Sequence, residues 1–189
     1  DPPKEGIRCV FQHIYDAGIK VKVITGDNAD TAKSIAVQAG IVNADNAVEG
    51  TEIMAYSGER LLEAVEEKVL FARMYPDVKL TVVNALKQNG EVVAMVGDGV
   101  NDAPALKAAN IGVAMGSKGT EIAKAAASLV IINDDLDKLI TGIVAGRRIY
   151  TNIKKAVQYI ISIHIPIILT VSLPLFLGWT FPQIFTPVH

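Results

Sequence analysis

The chain has 189 residues, a formal net charge of −2 and a single cysteine. That length suits one well-packed domain with a small appendage. With no basic excess, nucleic acid finds no electrostatic hold and no nucleic-acid partner is expected, while one cysteine excludes an intramolecular disulfide framework or a multi-thiolate metal site.

Helix-like and strand-like segments alternate through the first 150 residues, the rhythm of a parallel α/β sheet covered by helices. Ile7, Val10, Phe11 and Ile14 recur at helical spacing and Gly18 supplies a stop, predicting an amphipathic helix over 4–17. Cys9, within it, is expected to be a buried structural thiol, the usual setting of a free cysteine. Residues 19–24 read as a strand that runs into Thr25-Gly26-Asp27-Asn28, where Asp27 or Asn28 can cap a helix over 29–39 that ends at Gly40. Between 41 and 66 only a helix around 58–67 is legible. Residues 69–72 read as a short buried strand, 77–88 as a helix and 91–96 as a strand leading into Gly97-Asp98-Gly99. Pro104 suits the first turn of a helix reaching 109. Strands at 111–114 and 129–132 flank a small-residue helix over 119–126, and from Leu136 a helical segment runs on without a Gly-Pro break.

The far end is different in composition. Residues 156–179 contain no Asp, Glu, Lys or Arg, a stretch longer than the roughly 20 apolar residues that cross a bilayer as a helix. Arg147, Arg148, Lys154 and Lys155 precede it, with Trp179 and Phe181 at its far end. The positive-inside tendency therefore assigns its N-terminal end to the cytoplasmic side. Within it, His164, Pro166 and Pro174 stand out. Proline frees backbone carbonyls, and an ionisable group in lipid needs a cavity or a partner, so His164 and Pro166 mark a possible ion path. His164 could equally be a neutral histidine bonded to a neighbouring helix.

The strongest chemical signal is Gly97-Asp98-Gly99-Val100-Asn101-Asp102-Ala103-Pro104-Ala105-Leu106, placed where a hydrophobic strand ends. Strand C-termini are where α/β folds put their sites. Two glycines allow a tight turn, and Asp98, Asn101 and Asp102 gather oxygens suited to a hard cation such as Mg²⁺.

This run, with Thr25-Gly26-Asp27 after an earlier strand and Lys79 in a helix, resembles the haloacid dehalogenase superfamily. Asp1-Pro2-Pro3, Ile24-Thr25-Gly26-Asp27-Asn28, Phe71-Ala72-Arg73, Gly97 to Leu106 and Ala114-Met115-Gly116 follow one another as in P-type cation-transporting ATPases, within the same superfamily. The resemblance implies a Rossmann-like, haloacid dehalogenase-like α/β fold with a parallel sheet flanked by helices, followed by a helical stalk and one transmembrane helix. It implies boundaries of 1–135 for the C-terminal part of a phosphorylation domain, 136–155 for the stalk, 156–179 for the membrane helix and 180–189 for the start of an extracytoplasmic loop. It implies ATP and Mg²⁺ as cofactors, with Asp98 a metal ligand and Asn101 and Asp102 holding the loop. Thr25, the Gly26 amide and Lys79 would stabilise a transferred phosphoryl group through hydrogen bonds and charge. Asp27 and Arg73 match positions near the nucleotide, or form a plain surface ion pair. By register with the calcium pumps, His164 falls at a cation-ligand asparagine, while Ile167 replaces a ligand glutamate.

The family's Asp-Lys-Thr-Gly-Thr nucleophile motif is absent. Asp137-Lys138-Leu139-Ile140-Thr141-Gly142 has two extra residues and lies in the stalk-like helix. Without an initiator Met, the chain is expected to be an internal fragment, inactive alone, of a multi-pass pump in a bacterial plasma membrane. Its partners would be the nucleotide-binding domain, actuator domain and other transmembrane helices of the same pump, the lipid bilayer and the transported cation. Two rival readings are a soluble haloacid dehalogenase-type phosphatase and a noncatalytic membrane-anchored fragment.

Overall fold

The computed structural model describes residues 6–177, apart from the side chain of Leu175. The chain divides into two compact units, Asp1–Thr141 and Gly142–His189. The opening Asp1-Pro2-Pro3 and the aromatic pair Trp179 and Phe181, with the loop expected over 180–189, lie outside the described residues.

The first unit follows the alternating order expected. Helix α1 (Ile7–Asp16) leads to β1 (Val23–Ile24), α2 (Ala29–Ala39), β2 (Ala47–Glu49), α3 (Gly50–Ala55), α4 (Glu59–Glu67) and β3 (Leu70–Ala72). Then come α5 (Pro76–Gln88), β4 (Ala94–Gly97), a 3-10 turn (Val100–Asp102), α6 (Ala103–Ala108), β5 (Ile111–Met115), α7 (Glu121–Ala126) and β6 (Leu129–Ile131). Gly18 turns the chain after α1 at φ 73°, and Gly40 ends α2 at φ 80°, left-handed conformations that favour glycine. Of the two capping candidates before α2, Asn28 is the one used: its Oδ1 accepts from the Thr31 N–H at 2.8 Å.

All strand pairings are parallel, but the strands form two three-stranded sheets, ordered β1-β3-β2 and β4-β5-β6, rather than the single sheet expected. Among the described residues, β1 and β4 are each paired along one edge only. Helix α5 passes from one sheet to the other: its Val78, Val82, Ala85 and Leu86 pack with Phe71 and Val65, while Val83 packs with Met95, Leu106 and Ala114. A third cluster seats α2 against α1 through Ala36, Ala39, Ile7 and Phe11.

Cys9 is exposed rather than buried, its Sγ 3.8 Å from His13 Nε2. The helix geometry explains this, because Cys9 stands about 200° around α1 from Ile7, away from the face that packs. The strands expected at 19–24 and 91–96 pair later and over shorter lengths, at Val23–Ile24 and Ala94–Gly97.

The second unit is described as far as Leu177 and holds the body of α8, Asp137–Phe176. The helix is long and apolar enough to cross a membrane, and Ile160, Ile163, Ile167, Leu169 and Val171 along it are exposed.

Candidate phosphate and metal site

The loop after β4 is built around Asp102. Its carboxylate accepts from Lys79 Nζ at 2.6 Å through Oδ1 and from the Gly99 N–H at 3.2 Å through Oδ2. The two side chains retain only 13% and 11% of their exposure, so this is a nearly buried ion pair joining the first turn of α5 to the loop. Pro76 opens that turn, and the Lys79 N–H bonds to the Tyr75 carbonyl at 3.0 Å. The tight turn expected at Gly97 and Gly99 is present as the 3-10 turn Val100–Asp102, with the Asp102 N–H bonded to the Gly99 carbonyl at 3.1 Å, and it forms with neither glycine at positive φ. Gly97 is required for room: a Cβ there would lie 2.7 Å from Asp102 Cβ. Asp102 therefore serves as a brace, and of the three oxygen-bearing residues Asp98 and Asn101 are the exposed ones.

The loop after β1 is tied to the same end of the fold through the backbone. Thr25 N–H bonds to the Phe71 carbonyl at 2.9 Å, Met74 N–H to the Thr25 carbonyl at 2.9 Å, and Arg73 N–H to the Asp27 carbonyl at 2.8 Å. Thr25 Oγ1 accepts from the Asp27 N–H at 3.1 Å, an ST-turn that shapes the loop. From Thr25 a chain of contacts therefore runs through Met74 and the Tyr75 carbonyl to Lys79, Asp102 and Gly99. Asp27 and Arg73 meet through their backbones only. The Arg73 guanidinium pairs instead with Glu49, Nε to Oε1 3.6 Å, so the surface ion pair has a different acid from the one expected. Arg73 holds φ 50°, a left-handed conformation uncommon for a residue with a side chain.

On the other side, the Thr120 N–H donates to the Asp98 carbonyl at 2.8 Å, and Thr120 Oγ1 caps α7 by accepting from the Ala123 N–H at 3.2 Å. No group of three or more His, Cys, Asp or Glu side chains converges on a common point among the described residues. This donor set still fits Mg²⁺, which takes one or two carboxylates and completes its shell with water and phosphate oxygens.

One residue that motif reading missed belongs to this neighbourhood. Asp134, 8% exposed and at φ 53°, accepts from the Ser117 N–H at 3.0 Å and the Lys118 N–H at 2.9 Å. Its only sequence signal is an acidic pair just after a strand.

In α8, His164 Nδ1 lies 2.8 Å from the Ile160 carbonyl, a bond within its own helix. A carbonyl only accepts, so Nδ1 carries the proton, which in the neutral ring leaves Nε2 as an acceptor. Pro166 and Pro174 lie inside the helix, and Thr170 Oγ1 donates to the Pro166 carbonyl at 2.6 Å.

Taken with the parallel fold and the braced loop, the sequence match over residues 1–110 defines the class: the chain belongs to the haloacid dehalogenase-like hydrolases. Its relatives are narrower in kind. It is 40% identical over 192 residues to Calcium-transporting ATPase 1 of Bacillus cereus, covering 100% of this chain and 21% of that protein. It is 39% identical over 183 residues to human Calcium-transporting ATPase type 2C member 1, covering 96% of this chain and 20% of that protein. With Probable cation-transporting ATPase F of Mycobacterium tuberculosis it shares 44% identity over 164 residues, 84% of this chain and 18% of the relative. The catalytic domain of the CPx-ATPase CopB-B, solved in a study of conformational changes upon nucleotide binding, superimposes with a TM-score of 0.57 at 27% identity, over 75% of this chain and 45% of that one. The resemblance to P-type cation-transporting ATPases read from the motifs is thus borne out, and the chain spans about a fifth of the length of the curated relatives it matches.

Proposed function

We propose that this chain supplies the C-terminal part of the phosphorylation domain of an ATP-driven cation pump, together with the stalk and the membrane helix that follow it. The observation that carries the reading is the nearly buried Lys79–Asp102 pair, which fixes a cationic donor beside the Asp98 loop. An ammonium has three N–H donors. One is spent on Asp102, and the others remain for phosphoryl oxygens, joined by the Thr25 hydroxyl and the Gly26 amide. Asn101 holds the loop's outer side. Mg²⁺, when bound at Asp98, supplies neutralisation of phosphate charge, and Asp27 and Arg73 face the nucleotide.

The nucleophilic Asp lies outside this chain. Parallel sheets are normally interior structures with covered edges, and β1 and β4 each have one unpaired edge among the described residues. A parallel strand from elsewhere in the protein, pairing with both, would end beside Thr25 and Asp98, each the first residue beyond its strand. A carboxylate there would accept the phosphoryl group and form the aspartyl phosphate whose formation and hydrolysis drive transport. The chain alone then neither autophosphorylates nor hydrolyses ATP.

The remaining partners are the nucleotide-binding domain, the actuator domain and the other transmembrane helices of the pump, the lipid bilayer and the transported cation. The basic residues Arg147, Arg148, Lys154 and Lys155 favour a cytoplasmic α/β unit, with α8 spanning a bacterial plasma membrane. Within α8, Pro166 deprives the Ser162 carbonyl of its helical donor, so that carbonyl and His164 Nε2 are acceptors suited to a cation path.

The test is Asp98→Asn in the full-length protein. Phosphoenzyme formed from radiolabelled ATP and Mg²⁺ should fall to background while the proteolytic pattern of the fold is unchanged, and wild-type phosphoenzyme levels would remove Asp98 from the site.

A further inference from the structure

We infer that Asp134 is a positioning residue for the Asp98 loop, acting through the segment 116–120 from the root of α8. This rests on Asp98 belonging to the metal site proposed above. Consecutive backbone N–H groups in a turn form a concavity that attracts anions. Here Ser117 and Lys118 present such a pair, and the Asp134 carboxylate fills it with one oxygen to each, at 3.0 Å and 2.9 Å. Hydrogen bonds to an ionised acceptor are about twice as strong as neutral ones, and at 8% exposure water competes little for this carboxylate.

The surrounding bonds lead in two directions. Gly116 N–H bonds to the Ile131 carbonyl at 2.8 Å and Ser117 Oγ donates to the Ile132 carbonyl at 3.0 Å, so the segment is held along its first half by the strand end that precedes Asp134. Close packing leaves no room for slack. A Cβ on Gly116 would meet the Ile131 carbonyl oxygen at 2.7 Å, and one on Gly119 would collide with the Met115 carbonyl oxygen. Thr120 then closes the segment, and its N–H holds the Asp98 carbonyl at 2.8 Å. In the other direction Asp135 Oδ1 accepts from the N–H of Asp137, the first residue of α8, at 3.1 Å. Asp134 thus stands between the start of α8 and the backbone of Asp98, and its left-handed φ of 53° is a conformation that non-glycine residues adopt under local constraint.

The expected effect is on Mg²⁺ more than on nucleotide. In the full-length protein, Asp134→Ala should raise the Mg²⁺ concentration for half-maximal phosphoenzyme formation about 10-fold, the usual effect of removing an outer support of a metal ligand. ATP affinity should change less than about 2-fold, since Asp134 supports no residue assigned to the nucleotide. Asp134→Asn retains one acceptor oxygen and should fall between. Amide hydrogen exchange without Mg²⁺ gives a readout independent of activity: the Lys118 and Thr120 amides should exchange faster in Asp134→Ala while those of β3 keep their rates. Should Asp134→Ala not fold, Asp134→Asn decides by the same two measurements. An unchanged Mg²⁺ requirement with unchanged exchange at 118–120 overturns the inference, as does an equal weakening of ATP and Mg²⁺. Asp98→Asn, run alongside, separates the two claims. If it abolishes phosphorylation while the Asp134 variants behave as wild type, only the role of Asp134 fails; if it changes nothing, the metal-site reading has failed.

Discussion

Removing either member of the Lys79–Asp102 pair should cost more stability than removing both would suggest by addition. The side chains are 13% and 11% exposed and 2.6 Å apart, so deletion of one leaves the other charged and largely cut off from water. Breaking a buried pair in this way costs roughly 3–5 kcal/mol, because the survivor's desolvation is uncompensated. Asp102→Ala also strips the acceptor from the Gly99 N–H, worth about 1 kcal/mol, whereas the long lysine stem lets the ammonium reach partway to solvent. These offset, and a loss of about 3 kcal/mol is expected for Asp102→Ala. Lys79→Met leaves the carboxylate with the Gly99 N–H, and a similar loss of about 3 kcal/mol follows. The double variant has no stranded charge, so its loss should not exceed either single loss of about 3 kcal/mol and should stay well below their sum of about 6, a coupling of at least about 3 kcal/mol. Urea unfolding of the chain in detergent, followed by far-ultraviolet circular dichroism, measures all four species. Additivity within about 0.5 kcal/mol would show that the pair is solvated and does not brace the loop.

Two further outcomes follow from local geometry. Gly97→Ala places a Cβ 2.7 Å from Asp102 Cβ and 3.0 Å from its Oδ2, so the same unfolding assay should show a loss of about 1–3 kcal/mol from overpacking. Burial, with the Lys20 charge adding to it, holds the Lys22 ammonium below its ordinary 10.5. The unfolded chain therefore binds this proton more tightly than the folded one, and stability contributed by Lys22 rises with pH over the range just below 10.5. Comparing urea midpoints of wild type and Lys22→Met across that range should show the rise in the wild type only, after the shared background is subtracted.

The legible parts of the fold were those whose cause is local. Helix α2 runs over the residues its pattern predicts, because Asn28 caps one end and Gly40 turns the other. Helix α5 and strands β3 and β5 were found within a residue or so at each end, since a Pro at the first turn and short apolar runs mark them. What stayed hidden depends on distant partners. Strand β2 is three residues long and exists through its pairing with β3, Ala47 opposite Leu70 and Val48 opposite Phe71. The split into two sheets cannot be read from periodicity either, since each strand looks the same whether its second edge is paired or not. In the site, the motif pointed to Asp98, Asn101, Asp102 and Lys79, but which of the acidic residues is exposed is decided by Lys79, 23 positions away. Asp134 escaped notice because its ligands are backbone N–H groups, which carry no residue identity.

In the proposed phosphoryl site, the existing pair with Asp102 suits Lys79 to a group that comes and goes. A lone ammonium in so enclosed a place would be stabilised strongly when phosphate is present and left without compensation when it departs, a penalty of several kcal/mol in each cycle. Such a site would either hold its product or lose its structure. Asp102 removes that extreme, because its carboxylate offsets the ammonium in the empty site and still leaves N–H donors to be shared. The Gly99 N–H holds the other carboxylate oxygen in place, so the pair does not have to reorganise each time. In the same proposal Asp98, exposed and outside every ion pair among the described residues, is the carboxylate left to take a divalent cation, whose own charge stays fixed while the phosphoryl group moves.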